Sequence, residues 1–168
     1  KRGFKSIKNK RIEIIPFSHK TDMDIKYIKG WLSNSPDQGT LNWFKKCESL
    51  ESYIFSVKHD NTNYGILYLY KSCNRYGADG RIHHLPNMGN DLSLWISLIE
   101  KIENYFKLLG CVNISVCCTH PTFLKALDVL RYRMIEKNNI WIFDPQNKIK
   151  NKKIHLTYIE GDHGFRNL

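Results

Sequence analysis

The chain has 168 residues with a formal net charge of +10, and 42% of its residues are apolar. A chain of this size can bury a sizeable core, and we predict one compact domain because two full domains would be cramped. No apolar run reaches the roughly 18 residues of a membrane span and no charged-then-apolar leader opens the chain, so we expect a cytoplasmic protein without membrane contact. The five cysteines include no Cys-x-x-Cys pair, which predicts reduced thiols and no metal cofactor.

The positive charge is concentrated in two segments. Lys1–Arg11 carries six basic and no acidic side chains, and Lys148–Lys153 carries four lysines, which together equal the whole excess. We therefore expect a basic arm over residues 1–11, a near-neutral domain over residues 12–160 and a short tail over residues 161–168. Two interpretations of the basic segments stay open: solvated surface that keeps the protein in solution, or contact with phosphates, either weakly with those of a nucleic acid or with those of a phosphate-bearing cofactor.

The first half of the chain predicts three strands and two helices. Ile12–Pro16 is an apolar first strand, and a capping pair followed by apolar residues at helical spacing predicts a helix over residues 21–32. A second short helix is predicted at residues 41–44. Residues 53–58 and 64–70 are rich in aromatic and β-branched side chains and flank a polar turn, which predicts a hairpin.

A strand, a glycine turn and a long helix follow. Arg81–Leu85 is predicted as a strand, and the turn Pro86–Asn90 leads into a helix over residues 91–107 with apolar residues three or four apart. Asn90 or Asp91 can accept the first backbone N–H groups of this helix, and Gly110 can take the left-handed position after its end.

The remaining elements again alternate strand and helix. Residues 112–117 alternate apolar and small polar side chains, which predicts a strand with one buried face. Pro121 opens a second helix, because proline has no N–H to lose in the first turn. Residues 140–143 and 153–159 are predicted as the last two strands.

This order of elements, over about residues 11–160, resembles the GNAT acetyltransferase superfamily. The resemblance implies a single α/β (α+β) domain with a mixed, mostly antiparallel central sheet of six or seven strands, splayed at its centre, with helices on both faces. It also implies transfer of an acetyl group from acetyl-CoA to an amine, on a small molecule or a protein acceptor, by direct attack in a ternary complex. No metal takes part in that reaction.

The resemblance places the pyrophosphate of coenzyme A at the glycine turn, where backbone N–H groups meet the positive end of a helix. The family pattern has Arg or Gln, two residues, Gly, one residue, then Gly or Ala. Aligned on Gly89, this chain keeps only the central Gly, with Pro86 and Asp91 in the outer positions. A carboxylate at the last position would repel phosphate by about 1 kcal/mol. The implied cofactor-binding residues are Leu85, Asn87, Met88, Gly89, Asn90 and Leu92; the alternative is a plain helix cap.

His83 and His84 are the candidate general bases, because an amine acceptor must lose a proton before it attacks. They lie on the strand before the glycine turn, where adjacent positions face opposite sides, so we expect at most one to face the acceptor. A structural role for either histidine is the alternative. His120, Glu51 and Asp79 are weaker candidates.

Two features of the sequence weaken the prediction of acetyl transfer and favour a function without catalysis. Leu127 occupies the position where family members often carry the tyrosine that protonates the departing thiolate. Cys117 and Cys118 are interpreted as strand core rather than as nucleophiles. The alternative to acetyl transfer is therefore a catalytically silent GNAT-like module that binds a protein or a nucleic acid, and transfer of another acyl group is a third possibility.

Overall fold

The computed structural model describes residues 11–17, 25–26, 28–33, 36, 38–46, 51–75, 77–135 and 152–157. Within these ranges the chain forms seven strands and three helices. In order they are β1 (Ile12–Pro16), β2 (Trp31–Ser33), α1 (Gln38–Lys45), β3 (Glu51–His59), β4 (Thr62–Asn74), β5 (Gly77–His84), α2 (Leu92–Leu108), β6 (Cys111–Val116), α3 (Pro121–Val129) and β7 (Lys153–His155). None of the described helices is long and apolar enough to cross a membrane.

The central sheet has the strand order β1-β3-β4-β5-β6. Its first three pairings are antiparallel and the β5–β6 pairing is parallel, so the predicted mixed, mostly antiparallel sheet is confirmed. This sheet has five strands in the described part of the chain, where six or seven were expected. The strand predicted at residues 140–143 lies outside the described residues. β7 forms a separate parallel pair with β2.

The helix predicted over residues 21–32 is wrong at its C-terminal end. Trp31 and the two residues after it form β2, and Ile25 makes a bridge to Asn63 beside the central sheet. Gly30, with φ of 84°, turns the chain immediately before β2. Pairing with β7, more than a hundred residues away in sequence, overrides the local helical spacing. Residues 21–24 lie outside the described residues.

Helix α2 covers one face of the central sheet, as its apolar spacing predicted. Trp95 and Phe106 are fully buried in one core with Leu69 and Ile82 of the neighbouring strands. Gly80 permits this packing, because a Cβ at that position would lie 2.5 Å from Cδ1 of Phe106. The phenyl ring therefore rests directly on the backbone of β5.

One end of the sheet collects most of the candidate functional residues. The β3–β4 turn lies there, since His59 pairs with Thr62, and β5 leads toward it, since His84 pairs with Tyr68. The chain after β5 continues along the start of β4, where Cβ of Pro86 would be 3.4 Å from a Cβ on Gly65. We call this region, residues 59–62, 84–88 and 116–120, the hairpin end of the sheet.

Candidate functional site

The glycine turn at the hairpin end is closed by its own polar groups. Gly89 has φ of 71°, and its N–H donates to Oδ1 of Asn87 at 2.9 Å. The carbonyl of Gly89 accepts from Nε1 of Trp95 at 2.8 Å. Both backbone groups of the glycine therefore have partners within the chain, and a phosphate would have to displace one of them.

The first turn of α2 is capped by a carboxylate. Oδ1 of Asp91 accepts from the N–H of Ser93 at 3.0 Å, from the N–H of Leu94 at 3.4 Å and from the Ser93 hydroxyl at 2.6 Å. These are the donors that would meet a pyrophosphate at a helix N-terminus. The negative charge of Asp91 already complements the helix dipole and repels a second anion.

The other residues implied for cofactor binding lie in different environments. Leu85 and Met88 are buried in the core, and Leu92 packs partly against it. Asn90 is exposed, and Asn87 is buried with its carbonyl oxygen committed to the turn. The six residues are therefore adjacent in the fold, but their side chains do not converge on one open surface.

Residues 153–157 close the space between the ends of β5 and β6. Nε2 of His155 lies 2.8 Å from the carbonyl of Leu85, which can only accept, so Nε2 carries the hydrogen. Thr157 forms an antiparallel bridge with Cys118, and its Oγ1 is 3.0 Å from Nδ1 of His84. Protein side chains therefore occupy the space between the two strand ends.

Thr119 fastens the same segment to the chain after β6. Its hydroxyl donates to the carbonyl of Ile154 at 2.9 Å and accepts from the N–H of Leu156 at 2.9 Å. Its own N–H donates to the Leu156 carbonyl at 3.1 Å. The segment is thus held by backbone as well as side-chain hydrogen bonds.

An aromatic and histidine cluster fills the interior beside this segment. The His120 ring stacks on Trp31 with centroids 4.1 Å apart and lies 4.9 Å from the Trp95 ring. His155 lies 5.5 Å from His120. Burial, then the charge environment of His155 and Lys153, lowers the pKa of His120 to about 4. Burial also lowers the pKa of His155. Both rings are therefore neutral near pH 7.

His120 has a structural role at the start of α3. As the cap of α3, its Nδ1 accepts from the N–H of Thr122 at 3.2 Å, ahead of the first-turn proline. Its Nε2 has no hydrogen-bond partner among the described residues. Neither atom is placed to serve as a base for an external acceptor, because the ring is fully buried.

The expectation that His83 and His84 face opposite sides of the sheet is wrong. The register pairs Leu69 with Ile82 but Tyr68 with His84, so His83 is an extra residue in a β-bulge. The His83 ring also lies 5.3 Å from the Tyr68 ring. Both histidines therefore lie on the side of the sheet that carries Tyr68.

Burial keeps both histidines neutral. It lowers the pKa of His83 to about 4, with a further contribution from Arg81, and the pKa of His84 to about 3, with further contributions from His155 and His83. A general base works best with a pKa near the working pH, and the pKa values of these two rings lie about three and about four units below pH 7. Both histidines lie beside the hairpin end, but bases this weak fit a structural role better than a catalytic one.

The weaker candidates lie elsewhere. Glu51 accepts from the hydroxyl of Tyr53 at 2.9 Å and pairs with Lys71 at 3.5 Å. Asp79 accepts from Nδ2 of Asn113 at 3.0 Å. The register puts both carboxylates at the end of the sheet opposite the hairpin end, so neither joins the histidines.

The described residues contain no group of three or more His, Cys, Asp or Glu side chains that could hold a metal ion. Comparisons with protein families, with functionally characterised proteins and with solved structures find no match to this chain. The resemblance to the GNAT superfamily therefore stays a prediction. Sequence reasoning missed Trp31, His155 and Thr157 at this site, because no local pattern signals that they meet residues so far along the chain.

Proposed function

We propose that this chain is a GNAT-like module that binds nucleic acid at the hairpin end and does not transfer acetyl groups. The observation that carries the proposal is that both basic segments join the fold at this end. Arg11 accepts through its carbonyl from Nδ1 of His59 at 3.0 Å, beside the β3–β4 turn. Lys153 pairs with Trp31, whose ring stacks on His120 just after β6.

The described cations at this end are available to phosphates. The side chain of Arg11 is 89% exposed, and Lys29, Lys152 and Lys153 are also exposed. Glu13, 3.8 Å from Arg11, offsets part of that charge. Two basic segments that begin at one end of a sheet can contact one polyanion together, and each neutralised phosphate releases counterions.

The closure of the glycine turn supports the absence of acetyl transfer. Asp91 holds the N–H groups of the first helical turn, and His155 holds the carbonyl of Leu85. Coenzyme A would have to displace a carboxylate from a helix N-terminus and a buried imidazole from the strand ends. Each exchange loses an existing hydrogen bond, so cofactor binding gains little.

The test is fluorescence anisotropy with a labelled single-stranded oligonucleotide. We expect sequence-independent dissociation constants of about 10⁻⁴ to 10⁻⁶ M that weaken about 300-fold between about 50 and 200 mM salt if six phosphates of the single strand are contacted. Neutralising the basic residues of Lys1–Arg11 and the four lysines of Lys148–Lys153 to Gln should reduce the salt dependence and the affinity together. As a matched control, Gln at exposed Lys101 and Lys107 of α2 should leave both unchanged. Affinity that survives the first set of substitutions would refute the proposal.

Acetyl transfer to an amine is the second candidate, favoured by the β5, glycine turn, α2 and parallel β6 order. Calorimetric titration with acetyl-CoA separates the two candidates. Our proposal expects no heat at about millimolar cofactor and no rise in melting temperature, because a ligand that binds only the folded state must stabilise it. Binding at micromolar concentration, weakened by Gly89→Val in a folded protein, would restore acetyl transfer.

A further inference from the structure

A small pocket opens at the hairpin end beside His84. It has a volume of about 150 Å³ and lies between Ile25, Lys26 and Ile28, the start of β4 and the turn at Pro86 and Asn87. A cavity of about this volume in another protein accommodates benzene, so this one has room for about six non-hydrogen atoms. The pocket is distinct from the basic segments and from the closed helix N-terminus.

Asn87 lines the pocket, and its side-chain amide carries a buried hydrogen-bond donor without a partner among the described residues. Asn87 is 7% exposed, and its Oδ1 accepts from the N–H of Gly89 at 2.9 Å. This bond fixes which end of the amide carries the hydrogens, so Nδ2 is a donor, and it has no partner among the described residues. Buried donors are rarely left unpaired, so this one points to an acceptor that the pocket is built to receive.

The charge of the lining indicates what kind of acceptor fits. Nζ of Lys26 lies 3.4 Å from the hydroxyl of Tyr64 and 5.0 Å from its ring centroid. Because an ammonium group can only donate, the hydroxyl accepts there and its own hydrogen can point to a ligand. Among the described residues that line the pocket there is no Asp or Glu. A cation and two neutral donors without an opposing carboxylate favour an anionic group.

Apart from Ser33 and His84, the rest of the described lining is apolar. Ile25, Ile28 and Ile66 contribute hydrocarbon surface, and Pro86 closes one side. Inorganic phosphate has no apolar part, so it would place charged oxygens against these hydrocarbon side chains. A ligand with a charged head and a short hydrocarbon chain satisfies both halves of the pocket.

We propose that this pocket binds a carboxylate that carries a short apolar chain. The carboxylate accepts from Nδ2 of Asn87 and pairs with the ammonium of Lys26, while its chain packs against Ile28 and Ile66. The same chemistry is offered by a free short-chain acid and by the C-terminus of a peptide that ends in an aliphatic residue. This site uses none of the residues assigned above to nucleic-acid binding, so the two proposals stand or fall separately.

The test is a two-dimensional amide NMR titration of the whole chain with sodium butyrate at constant ionic strength. We expect shifts confined to Gly65, Asn87 and Gly89 and their neighbours, with a dissociation constant of about a millimolar, as suits so small a ligand. Butyramide, which has the same shape without the charge, should bind at least about tenfold more weakly. Inorganic phosphate should produce no shifts in these residues.

Two variants test the two polar groups. Asn87→Asp keeps the oxygen that accepts from Gly89 and replaces the free donor by a second oxygen, so butyrate affinity should fall more than about tenfold. Lys26→Met keeps the side-chain stem, lies on an exposed residue and should lower affinity by a similar factor without affecting folding. Lys101→Met, at an exposed position on α2, is the matched control and should not change affinity.

The titrations decide whether the pocket binds a carboxylate and which kind of molecule supplies that carboxylate. Any one of three results would overturn the proposal. The first is equal binding of butyrate and butyramide, and the second is equal butyrate affinity of the Lys26→Met and Lys101→Met variants. The third is the absence of any shift at about 50 mM butyrate, a concentration at which a real site of this size should be occupied. A dipeptide ending in valine with a free carboxylate is then compared with its amide. Tighter binding of the free-acid peptide than of butyrate assigns a peptide C-terminus, and weaker binding assigns a free acid.

Discussion

Asp91 is expected to stabilise the protein by two separable effects. Its Oδ1 accepts from the N–H groups of Ser93 and Leu94, and its charge faces the positive end of α2. Asp91→Ala removes both effects, which costs about 1 kcal/mol for the lost cap and about 0.3–1 kcal/mol for the lost charge. Asp91→Asn keeps an oxygen acceptor and removes only the charge, so its cost should be the second amount alone.

These values convert to measurable changes in thermal stability. At about 2–4 °C per kcal/mol for a chain of this size, Asp91→Ala should lower the melting temperature by about 3–8 °C and Asp91→Asn by about 1–4 °C. Added salt should shrink the Asp91→Asn effect, because salt screens the helix dipole, and should leave the remaining difference between the variants intact.

The control lies at the opposite end of another helix. Asp128 is exposed in the last turn of α3, where a negative charge is unfavourable, so Asp128→Asn should be neutral or slightly stabilising. The measurement is urea and thermal unfolding followed by circular dichroism. Equal destabilisation by Asp91→Ala and Asp91→Asn would refute the assignment of Asp91 as a hydrogen-bonding cap.

Three further outcomes are expected. Gly80→Val should destabilise the fold by more than about 3 kcal/mol in urea unfolding, because the new side chain overlaps the Phe106 ring; a cost under about 1 kcal/mol would contradict that packing. Thr157→Val should cost about 1–3 kcal/mol, since it takes the hydroxyl partner from buried His84, and Thr157→Ser should restore most of it. Because the pKa values of His84 and His120 are lowered to about 3 and about 4, their unfolded forms bind protons first as the pH falls below about 6.5. The free energy of unfolding should therefore be highest above about pH 6.5 and fall toward pH 4 by up to about 1.4 kcal/mol per pH unit for each histidine, and a flat profile would argue against their burial.

Local patterns predicted the helices and strands whose apolar residues recur at a regular spacing along one face. The helix expected over residues 91–107 is observed at Leu92–Leu108, and the predicted hairpin and the two strands flanking α2 are observed as well. Their apolar periodicity is strong, and one helix face or strand face is enough to produce it.

Long-range pairing determined what the sequence did not reveal. Trp31 has helical spacing with its neighbours, but pairing with Lys153 makes it a strand residue. The bulge at His83 arises from the register between β5 and β4. The alternation of residues along β5 does not predict that register. The local pattern around His155 predicts only a last strand, and its role depends on the carbonyl of Leu85, 70 residues earlier.

The closure of the hairpin end by residues 153–157 has a consequence for synthesis of the chain. The partners of Thr157 and His155 lie 73 and 70 residues earlier, at His84 and Leu85. While the chain emerges from the ribosome, β3, β4, β5 and α2 can assemble, but their histidines stay open to water until residue 157 has appeared. Contacts this distant in sequence form late because the intervening chain must first lose its freedom. A nascent chain that ends before residue 153 should therefore have exchangeable amides at the ends of β5 and β6 that become protected once residues 153–157 are in place.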